Sequence, residues 1–380
     1  MKILYLSPGV FDKGGISRYT RFQIQALQEI VGKESITIMS LLGPKGSRND
    51  LESEFHTDYH GNSKRKLFSE ILRYSYMAAY FTVKKKPDII WSGILNNSAL
   101  AVSLAKLTRA TSIVQVYGNE VWTPRPCRPD IPWGLAHCDY VLSDCYFSAE
   151  YIKKHNLARK DIPVFWDCVD INRFYPREPS TEILKRYNLP DPKEHFNIMT
   201  LGRLSTDCTY KGYERLLSLF PKLDKQVTLI FGGGGDLIPK LKQQALELGV
   251  SDRVFFTDFI NDADLPDLYR AASVFCLVGD RGLGRGEGIP LTPLEAAACG
   301  IPILVGNQDG SSEAVEQGIN GYALDPFNLD EIVNHLNELA NDRTHSVALG
   351  IAARKRIEKE HSYIVFKDHI QEFIQNLEKR

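Results

Sequence analysis

The sequence predicts an α/β protein made of two Rossmann-like domains that face each other across a cleft. Two successive series of short apolar runs alternate with stretches of helical spacing, one beginning at Ile3 and the other near Phe196. Between them, Cys168–Glu194 is rich in proline and charge, which is typical of a domain boundary. In addition, a chain of 380 residues is too long for one ordinary core.

The first series begins with an apolar strand, Ile3–Ser7, which a loop containing Gly14 and Gly15 joins to a helix, Ile16–Ile30. Apolar residues three and four positions apart are typical of one face of a helix. Because strands and helices continue to alternate, the sheet is predicted to be parallel and doubly wound. The further strands are Ser35–Leu42, Asp88–Trp91, Ile113–Tyr117 and Tyr140–Ser143, and the helices are Phe68–Val83 and Ala99–Leu107.

The second series repeats the pattern, so we place one domain at residues 1–172 and another at residues 173–360. A last helix, His361–Leu377, is expected to pack back onto the first domain as part of residues 361–380. Ligands of such sheets bind at the carboxyl ends of the strands. The predicted strands are Asn197–Gly202, Val227–Phe231, Val254–Thr257, Val274–Val278 and Ile301–Val305, and the helices are Tyr213–Phe220, Leu237–Leu248, Leu265–Ala271 and one from Thr292.

Composition narrows the class of function. A formal net charge of −1 provides no long-range field for nucleic acid, so an anionic ligand must be met by local groups. No run approaches the length of a membrane span, and we expect a cytoplasmic protein, or one peripheral to the inner face of a membrane. The cysteines are scattered without a Cys-x-x-Cys pair, which favours free thiols over zinc or disulfides: Cys127, Cys138, Cys145, Cys168, Cys208, Cys276 and Cys299.

The strongest local signal is the segment GEGIPLTPLEAAACGIPI, in which Glu287 and Glu295 stand eight positions apart. One interpretation is purely structural, because Thr292 to Glu295 spells a capping box with Pro293 at the first helical position. The other is a ligand site, since the loop with Glu287 and Gly288 opens a helix whose amino end attracts anions.

In that second interpretation, backbone N–H groups of Ile289, Leu291 and Thr292 would meet a diphosphate, while Pro290 has none to donate. Ionised carboxylates on either side would accept hydrogen bonds from hydroxyl groups. An anion between two hydroxyl-bearing groups is the chemistry of a nucleotide sugar. Spacing alone leaves both interpretations open.

Several motifs in order resemble those of glycosyltransferase family 4, whose members are retaining nucleotide-sugar enzymes with the GT-B fold. Glu287 to Glu295 is similar to the family's E-x7-E signature, and Gly14-Gly15 before a helix resembles its glycine loop. Most of the chain takes part in the resemblance. The other matching segments are Leu201-Gly202-Arg203-Leu204, Tyr210-Lys211-Gly212, Asp267-Leu268-Tyr269-Arg270-Ala271-Ala272, and Glu313-Ala314-Val315 with Gly318, Asn320 and Gly321.

The resemblance implies that Glu295 binds the ribose diol and Glu287 the hydroxyls of the donor sugar. It implies that Arg203 and Lys211 clamp the diphosphate, where negative charge grows as the glycosidic bond breaks. Without the motif, Arg203 would be a solvated strand-end residue and Lys211 a surface residue at a helix start. The reaction would need no essential metal and no resident cofactor.

The departures from the family pattern concern three places. Tyr117-Gly118-Asn119-Glu120 stands where the family usually has His-Gly-x-Glu/Asp, so an imidazole is missing. Tyr117 is retained as a catalytic candidate beside its ordinary interpretation as a strand-end aromatic. Asp167-Cys168 replaces an Asn-Gly, and the loop Gly279–Gly286 is long and glycine-rich, which suits a surface loop or a flap carrying Arg281 and Arg285.

Three strings resemble other functional motifs but favour plainer interpretations. Asp262-Ala263-Asp264 spells a metal-binding D-x-D, yet the segment suits a helix cap before Leu265 better. The run Gly232–Gly235 lacks the remaining residues of a dinucleotide or P-loop motif. His56 and His60 have no evident third ligand and are interpreted as surface residues.

The segment Lys64–Lys86 places basic residues at both ends of an apolar, aromatic helix. Such a helix could lie on an anionic membrane. The interpretation we prefer from sequence is a core-packing helix with solvated ends.

The function predicted from these residues is transfer of a hexose from a nucleotide sugar, with UDP-glucose the first choice of donor, to a saccharide or lipid-linked saccharide with retention. The alternatives are a GDP-mannose-dependent mannosyltransferase, a nucleotide-sugar epimerase of the same fold, and a non-catalytic sugar-nucleotide-binding protein.

Overall fold

The computed structural model describes residues 1–12, 14–44, 55–62, 66–122, 128–158, 161–281 and 284–378. Cys127, Lys64, Arg65 and the centre of the loop after Gly279, which the sequence analysis singled out, lie outside these residues. The chain divides into two compact units. The N-terminal unit is Met1–Asp167 with Ile364–Arg380, and the C-terminal unit is Cys168–Tyr363.

The N-terminal unit contains a parallel sheet of six strands in the order β3-β2-β1-β4-β5-β6 among its described residues. Helices follow the strands, as the alternation predicts. The strands are β1 Ile3–Gly9, β2 Ile36–Leu42, β3 Tyr59–His60, β4 Ile89–Ser92, β5 Thr111–Val116 and β6 Tyr140–Ser143. The helices are α1 Gly15–Val31, α2 Leu67–Lys85, α3 Ser98–Thr108, α4 Asn119–Trp122, α5 Asp130–His137 and α6 Tyr146–Lys154, with 3-10 turns at Lys33–Ser35 and Leu95–Asn97.

The C-terminal unit repeats this plan with the strand order β12-β11-β10-β7-β8-β9 in its described part. The strands are β7 Phe196–Leu201, β8 Val227–Gly232, β9 Val254–Phe256, β10 Val274–Leu277, β11 Ile303–Gly306 and β12 Gly321–Leu324. The helices are α7 Thr181–Arg186, α8 Tyr213–Ser218, α9 Ile238–Glu247, α10 Leu265–Arg270, α11 Leu291–Ala298, α12 Leu329–Asn341 and α13 Arg343–Glu360. The 3-10 helices are Thr206–Lys211, Phe220–Lys222, Ser251–Arg253, Asp262–Asp264 and Gly310–Ala314.

The proline-rich stretch predicted as a linker is packed against the C-terminal unit. Val169 forms an isolated parallel bridge with Ser362, and the Arg354 guanidinium donates to the carbonyl oxygens of Phe174 and Ile171. The stretch also contains α7, whose Arg186 pairs with Asp264 at 2.8 Å. Hydrogen bonds from arginine therefore hold a segment that composition alone marked as irregular.

The last helix, α14 (Tyr363–Glu378), lies almost wholly in the N-terminal unit. Phe366 meets the ring of Tyr19 edge-on at 5.3 Å, and Phe373 packs edge-on against Trp91. Such aromatic pairs add to the gain from buried area.

None of the helices in the described part of the chain combines the length and the apolar character that crossing a membrane requires.

Candidate active site

The strand order of the C-terminal unit reverses between β7 and β10, and at such a switch point the carboxyl ends of the strands leave a crevice. Two loops flank it, one after β7 and one after β10. The loops are bonded to each other, because the backbone N–H of Asp280 donates to the carbonyl oxygen of Tyr210 at 2.8 Å. Gly212, with φ +79°, lets them come this close, since a Cβ there would overlap the carbonyl oxygen of Val278.

Lys211 and Glu287 meet across this crevice. The Lys211 Nζ lies 3.0 Å from the Glu287 Oε1, and the two side chains are only 14% and 21% exposed. The Tyr210 hydroxyl donates to the same carboxylate oxygen at 3.0 Å. Burial by itself would lower the pKa of Lys211, but the Glu287 carboxylate together with Tyr213 and Tyr210 outweighs burial, and the pKa is raised. A permanent cation is thus held at the carboxyl end of the sheet.

Gly202 and Tyr213 surround the same cation. A side chain at Gly202 would collide with the Tyr213 hydroxyl and would come within 3.5 Å of the Lys211 Nζ. The Tyr213 hydroxyl is buried without a hydrogen-bond partner, and burial raises the pKa of Tyr213 to about 12. A buried, unsatisfied hydroxyl is costly unless a ligand completes it. Tyr213 has no sequence signal of a site, because it stands only as the first residue of the predicted helix Tyr213–Phe220.

Asp309 is a second residue that the sequence analysis missed. It is fully buried after β11, and its Oδ2 accepts the backbone N–H of Glu287 at 2.8 Å while its Oδ1 accepts that of Ser311 at 3.0 Å. The N–H of Gly310 donates in turn to the carbonyl oxygen of Glu287 at 3.1 Å. Burial raises the pKa of Asp309 to about 6. The backbone of Glu287 is therefore held from both sides by the turn that follows β11.

The capping-box interpretation of Thr292 to Glu295 is wrong. Helix α11 begins at Leu291, two residues before Pro293, after Pro290 in an extended conformation, and no side chain caps it. Pro293 is tolerated within the first turn because the N–H that it lacks would have no partner in the helix. The hydroxyl Oγ1 of Thr292 is buried without a partner. The amino end of α11 thus has both backbone N–H groups and a hydroxyl to offer a ligand.

Glu295 faces helix α10 rather than its own amino end. It is 3% exposed, and its Oε2 accepts the hydroxyl of Tyr269 at 2.7 Å. A neutral donor in this position fixes the carboxylate without neutralising it. The predicted residues Gly288, Ile289 and Leu291 lie in the same loop and first turn, between the two glutamates.

Arg203 follows β7 but is not held as Lys211 is. Its side chain is 76% exposed, and its Nη1 lies 3.8 Å from the Asp207 carboxylate, which is 62% exposed. Screening makes such a surface pair weak. Arg285 is tied to the same turn, because its Nη1 donates to the carbonyl oxygen of Asp207 at 2.7 Å. Arg203 therefore lies on the turn between β7 and Lys211, where it can change its rotamer at little cost, and Arg285 contacts this turn from the loop after β10.

Three predicted residues belong to the N-terminal unit. Tyr117 is 7% exposed and its hydroxyl donates to the carbonyl oxygen of Gly93 at 3.2 Å, while burial raises its pKa. Its hydroxyl therefore serves the packing of that unit, and its catalytic role stays a prediction. Gly14 precedes α1 and Gly15 begins it. A Cβ at Gly14 would meet nothing within 4 Å, so packing does not require glycine there.

The carboxylates of the D-x-D string are held by arginines. Asp262 pairs with Arg173 at 2.8 Å, and Asp264 binds both Arg186 and the Tyr187 hydroxyl at 2.8 Å. The expected helix cap is wrong in one respect, since the side chain of Asp264 makes no capping bond to α10. The segment joins α7 to the body of the unit.

A doubly wound unit with a buried cation and a helix amino end at its switch point has the architecture of Rossmann-type folds, in which ligands bind at that crevice. Comparison with known proteins narrows this class. Residues 182–356 match the family described as Glycosyl transferases group 1. The chain is 33% identical over 282 residues to a GDP-mannose-dependent alpha-(1-6)-phosphatidylinositol monomannoside mannosyltransferase of Mycolicibacterium smegmatis, covering 70% of this chain and 71% of that protein. The chain belongs to the group 1 glycosyltransferases.

Other relatives support this family assignment. The Mycobacterium tuberculosis mannosyltransferase of the same description is 29% identical over 279 residues, which is 70% of each chain. Among solved structures, Anabaena HepE in complex with UDP superposes with a TM-score of 0.80 at 18% identity, covering 99% of this chain and 100% of that one. Sucrose-phosphate synthase of Thermosynechococcus elongatus gives 0.76 at 15% identity, covering 99% of each. These structures confirm the predicted GT-B fold. The finer assignment to family 4 stays a prediction.

Proposed function

We propose that the protein transfers mannose from GDP-mannose to a hydroxyl of a saccharide or lipid-linked saccharide, with retention at the anomeric carbon. The donor first expected, UDP-glucose, has less support, because the curated relatives reported above are described as dependent on GDP-mannose. The fold neighbour bound to UDP is too distant in sequence to argue for its own nucleotide. The observation that carries the proposal is the Lys211–Glu287 pair at the β7/β10 switch point of a group 1 glycosyltransferase.

The donor diphosphate would lie between Lys211 and the amino end of α11. There the backbone N–H groups of Ile289, Leu291 and Thr292 would join the buried cation in binding phosphate oxygens. Arg203, exposed and weakly paired, would swing onto the same diphosphate from the other loop. Glu295 would bind the ribose diol.

The reaction breaks the bond between the anomeric carbon and the phosphate oxygen, and the acceptor oxygen bonds to that carbon on the same face. The acceptor proton passes to an oxygen of the departing diphosphate. Charge that grows on this leaving group is stabilised by Lys211 more in the transition state than in the ground state. Glu287 orients Lys211 and would accept hydroxyls of the mannose, and no step calls for a metal.

The acceptor proposal rests on the relatives, whose names describe phosphatidylinositol mannosides. A lipid-linked saccharide would present a hydroxyl of the same chemistry. Two other functions of this fold predict different products. An epimerase would isomerise a nucleotide sugar without releasing a diphosphate, and a binding protein would leave the donor intact.

The test is incubation of the purified protein with GDP-mannose, UDP-glucose and other nucleotide sugars, following free nucleoside diphosphate and the anomeric configuration of the sugar by NMR. Slow GDP release from GDP-mannose, with water as substitute acceptor, is the expected result. If UDP is released from UDP-glucose faster than GDP is released from GDP-mannose, UDP-glucose is the donor. An isomer without diphosphate release identifies an epimerase, and binding without turnover identifies a binding protein.

A variant at Lys211 and a control variant at an exposed lysine test whether diphosphate release depends on the buried cation. Lys211→Met should abolish most diphosphate release. Lys222→Met removes a lysine whose pair with Asp330 is 2.8 Å long but exposed on both sides, at 58% and 81%. It should leave the rate unchanged.

A further inference from the structure

Helix α2 of the N-terminal unit has two apolar faces. One packs in the core of the unit through Tyr74, Ala78 and Phe81. On the other side, large apolar residues recur at every fourth position and therefore line one side of the helix. Their exposed fractions are 74% for Phe68, 58% for Leu72, 72% for Tyr76 and 42% for Tyr80, and Val83 on the same side is 66% exposed.

These five residues, called here the α2 stripe, lie among cations. Lys66 stands at one end of the helix and Lys84–Lys86 at the other, and with Arg73 all five cations are exposed. Glu70 is the one acid from residue 66 to residue 86, and it is buried, where it accepts the backbone N–H of Asn62 at 3.0 Å. The outer surface of α2 is therefore both apolar and positive.

We propose that the α2 stripe and its flanking lysines dock onto an anionic lipid bilayer. Large apolar side chains exposed together along one side of a folded unit mark an interaction surface. A bilayer offers the two chemistries together, an apolar interior for Phe68, Leu72 and Tyr76 and anionic headgroups for the lysines. The preference for a core-packing helix, drawn from sequence, holds for the inner face alone.

The charges argue against a second copy of this chain as the occupant. A two-fold interface on the stripe would place the same positive surface on both sides, with no exposed acid of α2 to pair with it. The Lys84 amino group lies 5.1 Å from the centre of the Tyr80 ring, a position from which it can extend to a headgroup while the ring is buried.

The inference goes beyond the proposed function, and its test needs no donor. The full-length protein is mixed with vesicles of phosphatidylcholine alone or with about one-third phosphatidylglycerol, and binding is measured by flotation at low and high salt. We expect binding to the anionic vesicles at low salt and release at about 0.5 M salt, where surface charges are screened. Lys84→Gln with Lys85→Gln should weaken partition about 25-fold, about fivefold for each lysine.

The apolar contribution is tested by the triple variant Phe68→Ser, Leu72→Ser and Tyr76→Ser. We expect a loss of partition of about tenfold or more, with an unchanged melting temperature because these side chains are exposed. The control replaces other apolar residues that are more than half exposed by serine and should bind like the parent: Leu246 at 63%, Val347 at 61% and Ile351 at 54% exposed.

Three results would overturn the proposal. The parent protein does not float with anionic vesicles at low salt, the triple variant binds them as well as its control, or light scattering shows a dimer that the triple variant converts to a monomer. The last result would assign the stripe to a second copy. GDP release from GDP-mannose in solution is measured in parallel, so that loss of vesicle binding is distinguished from failure of the proposed reaction.

Discussion

Replacing Lys211 by methionine isolates the contribution of the buried ion pair. With Nζ and Oε1 3.0 Å apart and side chains 14% and 21% exposed, the attraction is about 5.5 kcal/mol at an effective dielectric constant of about 20. Desolvation offsets much of this, but removing one partner strands a mostly buried carboxylate. We therefore expect the free energy of unfolding to fall by about 3 kcal/mol, at the low end for buried pairs.

The same variant should lower turnover more than binding. The cation matters most when charge accumulates on the departing diphosphate, so kcat should fall by about 10² to 10³ while the KM for the donor rises less. Urea unfolding followed by circular dichroism measures the stability loss, and GDP release at saturating donor measures kcat. The double variant Lys211→Met with Glu287→Gln should recover about 2 kcal/mol of stability, because no charge is then stranded, but none of the turnover.

Lys222→Met is the matched control, with an expected loss below about 0.5 kcal/mol and no change in kcat. If Lys211→Met lowers the free energy of unfolding by less than about 1 kcal/mol, solvent screens the ion pair as it does a surface pair. One with kcat within about threefold of the parent would refute the assignment of Lys211 to the leaving group.

Three further predictions concern neighbouring contacts. Burial raises the pKa of Asp309 to about 6, so the protonated carboxyl contributes to stability below about pH 4. This contribution, about 3 kcal/mol, is lost as the pH rises through 6. The variant Asp309→Asn should therefore show a free energy of unfolding in urea that changes less between pH 4 and 7 than that of the parent. Tyr269→Phe removes the hydroxyl that donates to Glu295 at 2.7 Å, so it should raise the KM for the donor about tenfold with little change in kcat, and an unchanged KM would contradict the orienting role. Gly212→Ala should destabilise by at least about 2 kcal/mol more than Gly318→Ala, since both have positive φ but only Gly212 is crowded; equal melting temperatures would contradict this.

The sequence predicted the alternating architecture correctly because each strand and helix has its own periodicity, which is a local property. It also singled out Lys211, Glu287 and Glu295, since their motifs are contiguous in the chain. The short edge strand Tyr59–His60 was missed, because two residues are too few for a periodic signal. The capping box was wrong because α11 begins at Leu291, directly after Pro290, which places Thr292 inside the first turn rather than at the cap.

Local pattern determined which residues could form strands, helices and an anion-binding helix end in this protein. Only the tertiary structure decided that the Asp309 carboxylate accepts the backbone N–H of Glu287 and that the Tyr269 hydroxyl donates to Glu295. It also decided that one apolar face of α2 packs in the core while the other stays exposed. Each of these contacts joins elements that are separate in the chain. Their partners are selected by how sheets and helices pack in three dimensions, and no spacing within one segment carries that information.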